Sequence, residues 1–292
     1  MTAETRVRIG EQRKTENGDE NKDGDENEKE NVGMSFAADN PKHRPPDGLP
    51  RIPGLLVASA AAGEGKTVVA SAIAHNLRLE GRNVEVFLPV ATGCRLARGG
   101  LVSDSADMLA AWAESRQTLA EISPVRLASP VAPAIASAIG GASVDIDAIF
   151  DAWRHLAGKA ECVIVEAPGS IACPITEDFS TLNLAKCLAL PVVLVVRAEP
   201  GALERALLAA KAARSAGLAM AGCVVNLYRA DSASDEPLED TLRGLPGLLE
   251  RLAGLKTLAL VPDDPANDVR AGRLAKSARF AIDQAQWGKI MG

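Results

Sequence analysis

Leu55-Leu56-Val57-Ala58-Ser59-Ala60-Ala61-Ala62-Gly63-Glu64-Gly65-Lys66-Thr67 decides the fold. Its first five residues are a run of strand length, apolar but for Ser59, and from Thr67 to Glu80 the apolar residues return at helical spacing. A turn of small residues therefore joins a buried strand to a helix. Backbone N–H groups at such a junction have no partner of their own, and the helix dipole favours negative charge there, so the turn can wrap a phosphate chain. Gly63 and Gly65 permit close approach and positive φ. Lys66 supplies a cation for the outer phosphates, and the Thr67 hydroxyl can ligate Mg²⁺. Ala60 stands where the usual pattern has its first glycine, so the loop is a variant.

Outward from this junction the chain alternates short apolar runs with longer amphipathic ones. Strands are predicted at Leu55–Ser59, Val84–Leu88, Cys162–Glu166, Val192–Arg197, Met220–Asn226 and Thr257–Val261. Helices are predicted at Thr67–Glu80, Asp104–Arg116, Asp145–Leu156, Ile175–Leu188, Gly201–Ala216 and Pro237–Leu252. Strands this uniformly apolar are buried on both faces, which predicts an α/β fold: a doubly wound, mostly parallel sheet with helices on both faces. Glu166 ends the strand Cys162-Val163-Ile164-Val165, so it emerges at the carboxyl edge of the sheet beside the phosphate loop. It is one candidate ligand for Mg²⁺. Asp107 is the second, since an ion bridging phosphates takes one or two protein carboxylates.

Composition limits the remaining possibilities. The 292 residues are 47% hydrophobic and carry 32 Lys plus Arg against 38 Asp plus Glu, a net charge of −6. Residues 1–50 hold 8 basic and 12 acidic side chains, and thus −4 of that −6. They are expected to be a disordered acidic tail, because Glu11–Asn31 contains nothing apolar to bury. The pattern Asp19, Asn21, Asp23, Gly24, Glu30 matches a calcium loop in spacing but has no amphipathic helix on either side, so it is read as solvated tail. Residues 51–292 form the folded domain. With nine aromatic residues and an acidic balance, neither a nucleic-acid nor a membrane partner is expected. No segment reaches the roughly 18 to 20 apolar residues of a membrane span, and the N-terminus has no apolar signal core, so the expected location is cytoplasmic. The five cysteines never form a CxxC pair and are expected to be buried, reduced thiols.

Taken together these residues resemble the dethiobiotin synthetase family, in the family's order and over most of residues 52–265. After the loop, Leu88-Pro89-Val90-Ala91-Thr92-Gly93 is similar to the family's Lys-Pro-Val-x-Ser/Thr-Gly, and Ser105-Ala106-Asp107 resembles the segment with its Mg²⁺ aspartate. Pro124–Pro133 resembles a proline-punctuated substrate segment. Val165-Glu166-Ala167-Pro168-Gly169 stands where the family has Val-Glu-Gly-Ala-Gly, and Ala221–Asn226 resembles the strand whose last residue reads adenine. The resemblance implies an ATP- and Mg²⁺-dependent cyclo-ligase that makes dethiobiotin from 7,8-diaminononanoate and CO₂. It implies nucleotide contacts from Gly63, Glu64, Gly65, Lys66, Thr67, Val68, Glu166, Ala167, Pro168, Gly169, Asn226 and Pro262. It further implies substrate contact from Thr92, Mg²⁺ on Thr67, Asp107 and Glu166, and a homodimer with substrate near the subunit interface.

The chain departs from the family at one reacting position. Leu88 occupies the place of its catalytic lysine, and losing such a cation costs about 2–4 kcal/mol of transition-state stabilisation. Arg95 and Arg98 are the nearest substitutes. Two other readings are kept beside the first: another P-loop ATPase or amide ligase of the same superfamily, and a nucleotide-binding relative impaired in catalysis.

Overall fold

The computed structural model describes Pro46 and residues 48–141, 143–229 and 242–291. Residues 1–45 and 47 of the acidic tail, with its calcium-loop pattern, lie outside the described residues. Six parallel strands form the central sheet: β1 (Gly54–Ser59), β2 (Val84–Phe87), β7 (Cys162–Glu166), β8 (Val192–Arg197), β9 (Met220–Tyr228) and β10 (Thr257–Pro262), in the order β10-β9-β8-β1-β7-β2. β1 sits between β7 and β8, with Val57 opposite Glu166 and Ser59 opposite Val195. The chain winds away from β1 in both directions, so its carboxyl end opens at the switch point where ligands bind in such sheets.

Alternate residues of β1 serve two separate cores. Leu55 and Val57 pack under α1 (Lys66–Leu79), α2 (Asp104–Ala113), α9 (Lys276–Asp283) and α10 (Trp287–Ile290). Leu56 and Ala58 pack on the other face, under α5 (Ile146–Ala157), α6 (Thr181–Leu188), α7 (Ala202–Ser215) and α8 (Leu245–Ala253). The two-sided burial read from the strands is thus the observed architecture. Trp153, fully buried against Phe87, donates its indole N–H to the Pro50 carbonyl and ties the start of the domain to α5.

Some boundaries move for local reasons. α2 stops at Ala113, short of the predicted Arg116, because Glu114 turns left-handed (φ 49°). α6 begins only at Thr181: a Ser180–Asn183 capping box starts it, and a bridge between Pro174 and Ser180 keeps the preceding residues out of the helix. The predicted helix from Pro237 is described only from Leu242 onward, and its regular part is Leu245–Ala253. Several features were not anticipated. An antiparallel hairpin, β4 (Arg95–Ala97) with β5 (Gly100–Val102), precedes α2. A helix, α4 (Pro133–Gly140), follows the proline-punctuated segment, and a short helix, α3 (Leu119–Ile122), lies beneath Leu88, whose N–H donates to the Ile122 carbonyl at 2.8 Å. A small parallel pair, β3 (Val90–Ala91) with β6 (Val125–Arg126), binds the Leu88–Gly93 segment to Pro124–Pro133. All five cysteines are free and buried, and among the described residues no helix is long and apolar enough to cross a membrane.

Candidate functional site

The loop between β1 and α1 ends in Gly65, which caps the helix in the left-handed region (φ 84°) with no capping side chain. The N–H groups of the first turn, from Lys66 to Val68, consequently have no intrahelical acceptor. Lys66 is buried, 8% exposed, and its ammonium donates to Ser59 Oγ at 3.2 Å. Burial holds its pKa below the ordinary lysine value, partly opposed by Glu166 and Glu64. Thr67 donates to Glu166 Oε1 at 2.9 Å. The other oxygen, Oε2, is buried without a hydrogen-bond partner. Burial raises the Glu166 carboxyl above its usual range, against the pull of Lys66 and of the Thr67 hydroxyl. An orphaned carboxylate oxygen beside a threonine hydroxyl is a donor set suited to a hard divalent cation.

A cleft of about 170 Å³ opens on this group. Ala62, Gly63 and Lys66 form one wall, Glu166–Gly169 the floor, and Leu88, Val90–Thr92, Ser103 and Ser105 the opposite wall. The structure therefore brings together the loop, Glu166 and the Thr92 segment, as the sequence predicted. It does not bring Asp107 to the metal position. Ser103 caps α2 through the Ala106 N–H, which sets the helix phase so that Ser105 faces Thr67, with Oγ atoms 3.1 Å apart. Asp107, two residues on, points outward, 56% exposed, with its carboxylate 3.8 Å from Arg95. Nor do the arginines replace the family's lysine: Arg95 pairs with Asp104 at 2.7 Å and Arg98 is exposed on the hairpin. Leu88 is buried and lines the cleft, so its charged groups are Lys66 and Glu166.

Asn226, at 2% exposure, lies beneath the loop. Its Nδ2 donates to the Glu64 carbonyl at 2.8 Å, and its Oδ1 is buried without a partner. Leu227, next in the chain, is held left-handed at φ 54°, an uncommon state for leucine that accompanies functional sites. Beside it a second pocket of about 260 Å³ opens at the carboxyl ends of β8, β9 and β10, lined by Arg197, Glu199, Leu227, Tyr228, Arg229 and Asp263. Pro262 lies one residue before this pocket and lines a neighbouring apolar groove. Glu64 does not face the cleft; its buried side chain accepts the Ala60 N–H at 3.0 Å from within the loop.

A doubly wound parallel sheet with an uncapped helix behind a Gly-Lys-Thr turn, and a carboxylate on the adjacent strand, defines a nucleotide-binding protein of the P-loop class. Solved structures agree on the fold. The Mg-ADP complex of the septum site-determining protein MinD from Pyrococcus horikoshii OT3 superimposes with a TM-score of 0.50 at 15% identity, over 82% of this chain and 98% of that one. An ATP complex of Cyanothece McdA does so at 0.50 and 12%, over 82% and 95%. A family model described as an AAA domain matches residues 53–268. The ATP-dependent dethiobiotin synthetase of Bacillus subtilis (strain 168) is 32% identical over 209 residues, 72% of this chain and 87% of that protein. That of Aromatoleum aromaticum is 36% identical over 197 residues, 65% and 87%. The chain belongs to the dethiobiotin synthetase family.

Proposed function

We propose that this chain is an ATP-dependent dethiobiotin synthase, acting on 7,8-diaminononanoate and CO₂. The observation that carries this reading is the continuity of the cleft: the phosphate loop, Glu166 and the Thr92 segment line one cleft, so a carbamate held at Thr92 would lie beside phosphates held by the loop. One amine of the diamine adds to CO₂ with loss of a proton, giving a carbamate. A carbamate oxygen then attacks the γ-phosphorus as ADP leaves. The second amine closes the ring on the carbonyl carbon and expels phosphate.

The chain's part in this is positioning and charge placement. The first-turn N–H groups and Lys66 cradle the phosphates. Thr67 and Glu166 would hold Mg²⁺, with the Ser105 hydroxyl facing them, and the ion would supply neutralisation of phosphate charge. Among the described residues no three His, Cys, Asp or Glu side chains gather at one point. Ala167–Gly169 close the floor beside the loop. The nucleoside would be taken by Asn226 and the pocket beyond Leu227. Because Leu88 offers no charge, the transferring phosphoryl group relies on Lys66 and backbone donors. The family relationship supports a homodimer with the diamine near the subunit interface, and a cytoplasmic enzyme.

ADP release, measured with 7,8-diaminononanoate, bicarbonate and Mg²⁺, tests the reading. Turnover is expected to depend on the diamine and to fall on the order of a thousandfold in Lys66→Ala, in line with the loss of a principal phosphate-stabilising group. ATP hydrolysis indifferent to the diamine would refute it.

A further inference from the structure

Glu64 lies within the phosphate loop, yet its carboxylate is turned behind the loop and away from the cleft. One oxygen, Oε2, accepts the Ala60 N–H; the other, Oε1, is buried with no hydrogen bond. That free oxygen lies 3.6 Å from Nε of Arg205, a half-buried residue in the first turn of α7, and this Nε atom is itself buried without an acceptor. The rest of the guanidinium is fixed. Its Nη2 donates to Glu199 at 2.8 Å and its Nη1 to the Pro200 carbonyl at 3.2 Å. Glu199 is held in turn by Arg197, and both line the pocket beyond Leu227. A file of alternating charges thus runs from the loop to that second pocket.

Buried negative charge directly behind a phosphate site works against binding unless a cation offsets it, since Coulomb interactions strengthen away from water. Arg205 is the cation placed to do so. Nε and Oε1 stand 3.6 Å apart, within ion-pair distance. We propose that Arg205 is a positioning residue for nucleotide binding: by pairing with Glu64 it offsets the charge behind the loop and holds the loop in its phosphate-accepting shape. This rests on the nucleotide-binding reading above. Arg205 would act through Glu64 without touching the nucleotide.

Calorimetric titration of ATP into the full chain tests it. Arg205→Ala leaves Glu64 only the weaker pull of Lys66 and should raise the ATP Kd about thirtyfold; Glu64→Gln, which removes the charge and keeps the shape, should raise it about threefold. The double variant should return to the level of Glu64→Gln, a rescue that mere loss of packing would not give. Arg205→Lys, which keeps the charge, should lie between wild type and Arg205→Ala. Wild-type affinity in Arg205→Ala would overturn the proposal, as would a double variant no tighter than Arg205→Ala. Should Arg205→Ala fail to fold, the double variant is compared with Glu64→Gln, and a gap above tenfold overturns it. Absence of ATP binding by the wild-type chain would remove the nucleotide reading and this proposal together; wild-type binding unchanged by any of these substitutions would remove this proposal alone.

Discussion

On one side of the cleft Lys66, Thr67 and Glu166 are all buried and joined to Ser59 or to one another by hydrogen bonds. On the side facing them, Leu88, Val90–Thr92 and Ser105 offer methyl groups and hydroxyls and no charge. The first wall follows from a strand running into a helix: the N–H donors are backbone, and the two side chains that matter are the helix's first residues. The second wall has no such backbone rule. It is set by the phase of α2 and by what occupies position 88, and here both positions are neutral. Phosphate handling is thus fixed by the fold, whereas the reacting side is a matter of single side chains, and substitutions in the two walls should differ in sign as well as size.

The largest effect is expected in the first wall. Gly65 is left-handed, and a Cβ there would collide with Asn226 Nδ2. Gly65→Ala should therefore push Asn226 off the Glu64 carbonyl, reshape the loop and abolish measurable ATP binding, with a stability loss of about 2–4 kcal/mol from strain and a broken buried hydrogen bond. Calorimetry and urea unfolding check both. Normal ATP affinity in this variant would break the claim that backbone shape is what the first wall contributes.

The second wall should respond to gain of charge. Leu88→Lys places an ammonium at a wall of the cleft that has none, and an increase in kcat of about thirty- to a thousandfold is expected if the cation reaches the phosphoryl group, as single cations at such sites are worth about 2–4 kcal/mol. Because the site is buried, the same variant should lose stability when ligand-free. A smaller gain is expected from Ser105→Asp. A second carboxylate beside Glu166 should tighten Mn²⁺ binding in the presence of ADP about tenfold, read by electron paramagnetic resonance, while Asp107→Asn should leave it unchanged. The opposite order would put the metal face of α2 at Asp107.

How much of this was legible beforehand depends on whether the signal is local. The six sheet strands could be read because burial on both faces makes them almost wholly apolar, and the loop because its strand and helix flank it directly. The face of α2 could not be read from the acidic residues, since Ser105 and Asp107 lie about 200° apart on a helix and only the helix start decides between them. That start was signalled by Ser103, a good N-cap that accepts from Ala106 N–H. The hairpin before α2 had its mark in Gly99-Gly100, and α4 in Pro133 at its first turn with Gly141 after its end. Asn226 is different. Its hydrogen bond to Glu64 spans 162 residues of chain, and no local pattern foretells a side chain anchoring a loop so distant in sequence.

The smallest effect tests whether the neutral wall is held from outside. Leu88 hangs by its N–H from Ile122, the last residue of α3, and α3 begins with a capping box in which Thr118 and Glu121 bond each other's backbone. Lys159, followed by the Thr118 N–H and hydroxyl and by His155, holds the Glu121 carboxyl down at about 2. A carboxyl lowered on folding stabilises the native state above its unfolded pKa and loses that contribution as pH falls toward the folded value. Glu121→Gln should accordingly cost under about 1 kcal/mol at pH 7, given the exposure of its partners, and close to nothing near pH 2. Urea unfolding at several pH values gives the difference. Turnover should not change, because the Leu88–Ile122 bond is backbone and survives the substitution. A fall in kcat at neutral pH with unchanged ATP affinity would instead mean that the capping box sets the position of Leu88, and that the second wall depends on a surface cluster well outside the cleft.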